Sequence, residues 1–185
     1  MKSRLFGNLE VDSDLAVFEP EKRDAGASYS ALRCPCGGDV FGLSGWPRVA
    51  TGRGGFFWRS VTRVWREARL PMTEGEPLES PFWLPVFARC RRCGREEPVL
   101  DGEAMDGRRS REEQIEPRES YRCRICRRGS VALVVGIQSD AQDASRAAIE
   151  LIACCNRCHR QARIAWSDTR PSDQEVRLDL LYGRR

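Results

Sequence analysis

Eight of the nine cysteines in this chain fall into four close pairs, spaced as metal ligands are spaced. Two pairs, Cys123-Arg-Ile-Cys126 and Cys155-Asn-Arg-Cys158, have two residues between the thiols. That interval lets one tight turn point both sulfurs at one ion, and two such turns complete a tetrahedron, which zinc accepts without redox chemistry. A second constellation lies upstream, in Cys34-Pro-Cys36 and Cys90-Arg-Arg-Cys93. Its first pair is tighter, with a single residue between the cysteines. Gly37 and Gly38 follow that pair and Gly94 follows the other, supplying residues that take a positive φ without a Cβ clash. The expectation is two zinc ions, one on Cys34, Cys36, Cys90 and Cys93, the other on Cys123, Cys126, Cys155 and Cys158. Iron in the same thiolate sets, a cross-braced pairing of the four turns, and disulfides are the alternatives. Sequential pairing is preferred because it closes shorter loops, and thiols in a reducing compartment more often hold metals than bridge.

These knuckles resemble those of the zinc-ribbon class, which shares them with rubredoxin-type sites. The resemblance covers the knuckles and their hairpins, about half of the chain. It implies a mainly β fold with a minor helical part, built as two antiparallel zinc-ribbon-like units. It implies no single activity, because the class spans transcription factors, ribosomal proteins, polymerase subunits and scaffolds.

Cys154 competes with Cys155 as a ligand, but Cys155 gives the two-residue spacing, so Cys154 reads as a small buried side chain or, as the sharper alternative, a reactive thiol. His159 is the chain's one histidine. It follows Cys158 directly and reads as a surface residue, with hydrogen bonding to a ligand sulfur or replacement of one as the alternatives. One histidine and no nucleophile elbow leave no Ser-His-Asp arrangement. Four thiolates leave no open metal position. A catalytic role is therefore disfavoured.

Of 31 basic residues, 29 are arginine. Genomic base composition accounts for much of that count, so only placement is informative. Arginines crowd the knuckles, at Arg89, Arg91, Arg92, Arg95, Arg122, Arg124, Arg127, Arg128, Arg157, Arg160 and Arg163, and Arg91, Arg92, Arg122, Arg124, Arg127, Arg128, Arg157 and Arg160 are the expected nucleic-acid contacts. Part of this density offsets the formal charge of about −2 on a four-thiolate zinc. The excess points to an anionic partner met through phosphate contacts.

The charge also divides the chain. Residues 1–95 carry fifteen basic and eleven acidic side chains, residues 96–120 four and nine, and residues 121–185 twelve and seven. The expected organisation is an N-terminal arm (1–30), a first unit (31–102), an acidic linker (103–118) and a second unit (119–185). Leu9 and Val11 suggest an edge strand in the arm. The first unit holds an insertion with four of the five tryptophans, Trp46, Trp58, Trp65 and Trp83. Within it, Phe57 to Leu70 reads as a helix, with Phe57, Val61, Val64, Trp65 and Ala68 on one face, although its composition also suits a strand. The Gly52-Arg-Gly-Gly55 loop lacks a P-loop ending, so nucleotide hydrolysis is not implied. In the second unit, Ser130 to Gln138 can bury both faces. Ala147 to Ala153 fits a strand or a short helix, Gln161 to Trp166 alternates again, and Val176, Leu178 and Leu180 suggest a last strand.

No run approaches the 18–20 or so apolar residues of a membrane span, and residues 1–20 do not read as a secretory signal. The expected setting is cytoplasmic. The expected function is a non-catalytic zinc-binding module contacting nucleic acid through its arginine-rich knuckles. The alternative is a zinc-stabilised scaffold that docks proteins through the tryptophan-rich insertion and the acidic linker. A small-molecule substrate and a membrane are not expected.

Overall fold

The computed structural model describes residues 6–47, 81–100, 118–139 and 147–169. The expected helix over 57–70, the glycine-rich loop before it, residues 103–117 of the linker and the last strand lie outside the described residues. Within them every long element is a strand: β1 (Glu10–Asp12), β2 (Ala27–Arg33), β3 (Phe41–Pro47), β4 (Phe82–Cys90), β5 (Glu96–Val99), β6 (Glu119–Ser120), β7 (Val131–Ser139), β8 (Ala147–Cys155) and β9 (Gln161–Thr169). All pairings are antiparallel, and the sheet curls into a half-barrel. No helix among the described residues is long and apolar enough to cross a membrane.

The pattern of β7 explains its central place. Val131, Leu133, Val135 and Ile137 face one side and join the main core with Ile149, Leu151 and Ala153 of β8 and Phe41 and Leu43 of β3. Val134 faces the other side, in a second cluster with Tyr29, Ala31 and Ile152. Residues 131–137 are buried throughout, as a strand covered on both faces requires. The cover on the second face comes from the N-terminal arm, whose Leu15, Val17 and Phe18 pack there. Gln161 clips the arm down, accepting from the Glu21 N–H at 2.8 Å and donating to the Glu19 carbonyl at 2.7 Å.

β8 pairs with β7 along its whole length, from Val131↔Cys155 to Ser139↔Ala147. The stretch Ala147 to Ala153 is therefore strand, not helix. On the opposite edge β7 meets β2, from Ala27↔Gln138 to Ala31↔Val134, and meets β3 at Phe41↔Val131. Strands from both sides of the expected linker thus enter one sheet. β1 is the edge strand beside β2. The β3–β4 register shifts between Ser44 and Trp46, opposite a stretch containing Pro85, which has no N–H to give to a regular ladder.

One buried charge is fully engaged. Glu150, 6% exposed, accepts from the Tyr29 hydroxyl at 2.8 Å and from Arg163 Nε at 2.7 Å. Gly136 makes the room, since a Cβ there would come within 2.5 Å of the Tyr29 ring and 2.9 Å of Glu150. Burial raises the Tyr29 hydroxyl to about 12.

Candidate metal centres and the cleft between them

All four cysteine pairs sit on the same turn. The N–H of the residue after the second cysteine donates to the carbonyl of the first: Gly37 to Cys34 at 2.7 Å, Gly94 to Cys90 at 2.9 Å, Arg127 to Cys123 at 2.8 Å, His159 to Cys155 at 2.9 Å. Each of these four donors has a positive φ, at 77°, 76°, 61° and 57°. The N–H of each first cysteine donates onward, to the carbonyls of Gly38, Arg95, Arg128 and Arg160. Cys34-Pro-Cys36 is this same turn with one residue removed, its closing bond reaching Gly38 where a two-residue knuckle would reach one position further. The first cysteine of each turn is buried; the second is half-buried, or exposed in the case of Cys93.

The turns meet two by two. The four ligand atoms of Cys34, Cys36, Cys90 and Cys93 lie within 4.8 Å of one another, as do those of Cys123, Cys126, Cys155 and Cys158. The pairing is sequential, as the loop-length argument expects. Nearest sulfurs are 3.5 Å apart for Cys34–Cys93, 3.7 Å for Cys36–Cys90, 3.5 Å for Cys123–Cys158 and 3.4 Å for Cys126–Cys155. A disulfide needs about 2.05 Å. A tetrahedral ion held at about 2.3 Å by four thiolates sets the sulfurs about 3.8 Å apart. The clusters match the second spacing.

Each cluster also holds a graded set of protons. Cys93 is lowered to about 7, first by the Arg95 N–H and then by neighbouring thiols, while burial pushes Cys34 up to about 12. In the second cluster burial works against ionisation of Cys155, but the N–H groups of Cys158 and Arg157 and two thiols bring it down to about 7. At Cys158 the Arg160 N–H favours the thiolate, yet burial and the other three sulfurs push it up to about 12.

Cys154 stands apart for a geometric reason. It precedes Cys155 in β8, so the two-residue strand period aims it at the opposite face. Its thiol contacts the His159 carbonyl at 3.4 Å. Burial, with the nearby Cys155 and Glu21, pushes it above the ordinary thiol value, the reverse of what a reactive thiol needs. His159 is exposed and gives the turn its backbone.

Between the centres lies a cleft of about 1080 Å³. Its floor is the outward face of the small sheet, where Gly42, Arg89 and Glu96 are neighbours across β3, β4 and β5. Its walls are the loop from Ser120 to Ser130 and the turn carrying Asn156 and Arg157. Six arginines line it, Arg89, Arg91, Arg122, Arg127, Arg128 and Arg157, against one carboxylate, Glu96. That carboxylate is paired with Arg118 at 2.7 Å, whose guanidinium stacks over Phe87 at 4.1 Å.

Five of the eight arginines expected at an anionic partner therefore line one cavity: Arg91, Arg122, Arg127, Arg128 and Arg157. Arg92 instead donates to the Cys36 carbonyl at 3.0 Å. Arg124 and Arg160 are exposed on the knuckles and do not line the cleft. Arg89 joins the set through strand alternation, because it faces away from the buried Ala88 and Cys90 on either side of it. That signal was already present in the sequence.

No family model, curated protein or solved structure matches the chain. Its class rests on its own geometry: an antiparallel β protein with two four-cysteine clusters close enough to hold metal ions.

Proposed function

We propose that this protein is a non-catalytic module held together by two zinc ions, and that it contacts nucleic acid through the arginine cleft between them. The sulfur spacings and the four matching turns support zinc, which favours closed tetrahedral thiolate sites. Iron would fit the same sulfurs, and the metal bound by the purified chain decides between them. The observation that carries the nucleic-acid reading is the cleft's lining, six guanidinium groups against a single, already paired carboxylate. Guanidinium matches phosphate as a bidentate fork, and charges gathered within a Debye length of about 10 Å act together. Arg122, Arg128 and Arg157 enter that lining from the walls.

The test is electrophoretic binding of the metal-loaded full chain to generic RNA and DNA at two salt concentrations. Binding should weaken steeply as salt rises. Arg128→Glu with Arg157→Glu should keep both metals and lose most of the affinity. If the wild-type chain binds no nucleic acid, a scaffold role takes first place.

A further inference from the structure

Resting on the nucleic-acid reading, we infer that the cleft takes one phosphodiester strand at a time and holds it by its phosphates, largely without regard to base. The cleft is concave, with a sheet for its floor and the cysteine-knuckle loops for its walls. Its volume, about 1080 Å³, sits at the upper end of small-ligand cavities, which run to roughly 1,000 Å³. A few linked nucleotides fit such a space. A duplex is bulkier, since its two backbones flank a major groove about 12 Å wide, and on this inference one backbone alone enters the cleft.

The donors on the floor and walls suit phosphate. Arg89 and Arg91 lie on the floor side, and Arg122, Arg128 and Arg157 face them from the walls. Gly42 sets the position of Arg91, whose guanidinium lies so close to the strand that a Cβ at Gly42 would fall 2.7 Å from Nη2. Proteins that grip single strands through their bases present exposed aromatic faces for stacking. Among the described residues the one aromatic in this lining is Tyr121, half-buried and tied to β3 by its N–H to the Leu43 carbonyl at 2.9 Å. On this inference affinity comes from the guanidinium groups, and phosphate charge is the same for every base.

Fluorescence anisotropy of the zinc-loaded full chain separates the possibilities, with labelled oligothymidylate, oligoadenylate and a duplex of equal length as probes and inorganic polyphosphate as competitor. The two homopolymers should bind within about threefold of each other, the duplex at least about tenfold more weakly, and polyphosphate should displace both homopolymers. Arg128→Gln with Arg157→Gln should keep the metal content and lower the salt slope by about 1.4, at about 0.7 per lost single-strand contact. Gly42→Ala, which displaces only the far end of the Arg91 side chain, should weaken binding without loss of metal. Equal or tighter binding of the duplex, a tenfold or greater preference between the homopolymers, or indifference to the arginine changes overturns the inference while nucleic-acid binding itself stands. Failure of every nucleic acid to bind overturns both.

Discussion

Arg91 donates from its guanidinium to the carbonyl of Gly129 at 3.2 Å, and so joins the turn of one metal centre to the loop that follows a knuckle of the other. The Arg91 N–H is itself held by the Val40 carbonyl at 2.9 Å. The two centres therefore share a clasp as well as a sheet. Its strength is modest because it is exposed. Arg91→Ala should lower stability by about 1 kcal/mol and leave two metals per chain by elemental analysis. Loss of a metal would mean that the clasp shapes the cysteine turns themselves.

The four turns predict opposite signs for glycine substitutions. Gly94 has a φ of 76°, and nothing comes closer than 4.0 Å to the place a Cβ would take. Gly94→Ala therefore isolates backbone strain and should cost about 1–2 kcal/mol. His159 already bears that strain at a φ of 57°. His159→Gly should be neutral or stabilising by up to about 1 kcal/mol, its relief offset by the greater freedom of glycine in the unfolded chain. Thermal unfolding of the metal-loaded proteins measures both.

Adjacent cysteines should behave differently. Cys155→Ala should lose one ion and the order of the β7–β8 end, since binding and folding are coupled at such sites. Cys154→Ala should keep both ions and cost about 1 kcal/mol through a small cavity on the far face. Equal metal losses would show that Cys154 enters the centre.

Metal uptake should release protons. Cys34 and Cys158 hold theirs to about 12, and a metal must displace them at neutral pH. Affinity should therefore fall as pH falls, and fall further once Cys93 and Cys155, near 7, are also protonated. Titration of metal into weakly buffered protein with a pH indicator reads the release directly; no acidification would argue against thiolate ligation.

Alkaline stability has its own signature. Tyr29 is raised by burial from 10.0 to about 12. A group with a raised folded value stabilises fully below its unfolded value and loses that contribution as pH climbs to the folded one. The tyrosine contribution should therefore fade between about pH 10 and 12. Tyr29→Phe should remove part of that slope and, by leaving Glu150 one donor short, cost about 1–3 kcal/mol at neutral pH.

Both cysteine clusters and strands β7 and β9 were legible in the sequence, because ligand spacing and strand-like apolar runs are local signals, whereas Ala147 to Ala153 suited strand and helix alike until its pairing with β7 decided it. The partners of β2 were not. Nothing within Ala27–Arg33 says that it pairs with residues more than a hundred positions away, since partner choice is settled by burial across the whole sheet. The positive φ at Gly37 and Gly94 announced itself through glycine, whereas Arg127 and His159 adopt the same conformation with no such sign. Knuckle arginines could be named from sequence, but their sorting between cleft and rim depends on which way each turn faces. The buried pairing of Glu150 with Tyr29 and Arg163 was equally hidden, as three strands must align before those side chains meet.

The pairing of Ala27 with Gln138 also has a consequence for biosynthesis. β2 ends at Arg33 and β7 begins at Val131, so β2, with β1 on one edge, leaves the ribosome long before the strand on its other edge exists. At about 5–20 residues per second, the wait is about 5–20 s. Throughout it, the edge of β2 that β7 covers, from Ala27 to Ala31, stands open to other nascent chains. The yield of folded protein should therefore depend on translation speed and on whatever shelters that strand until residue 138 emerges.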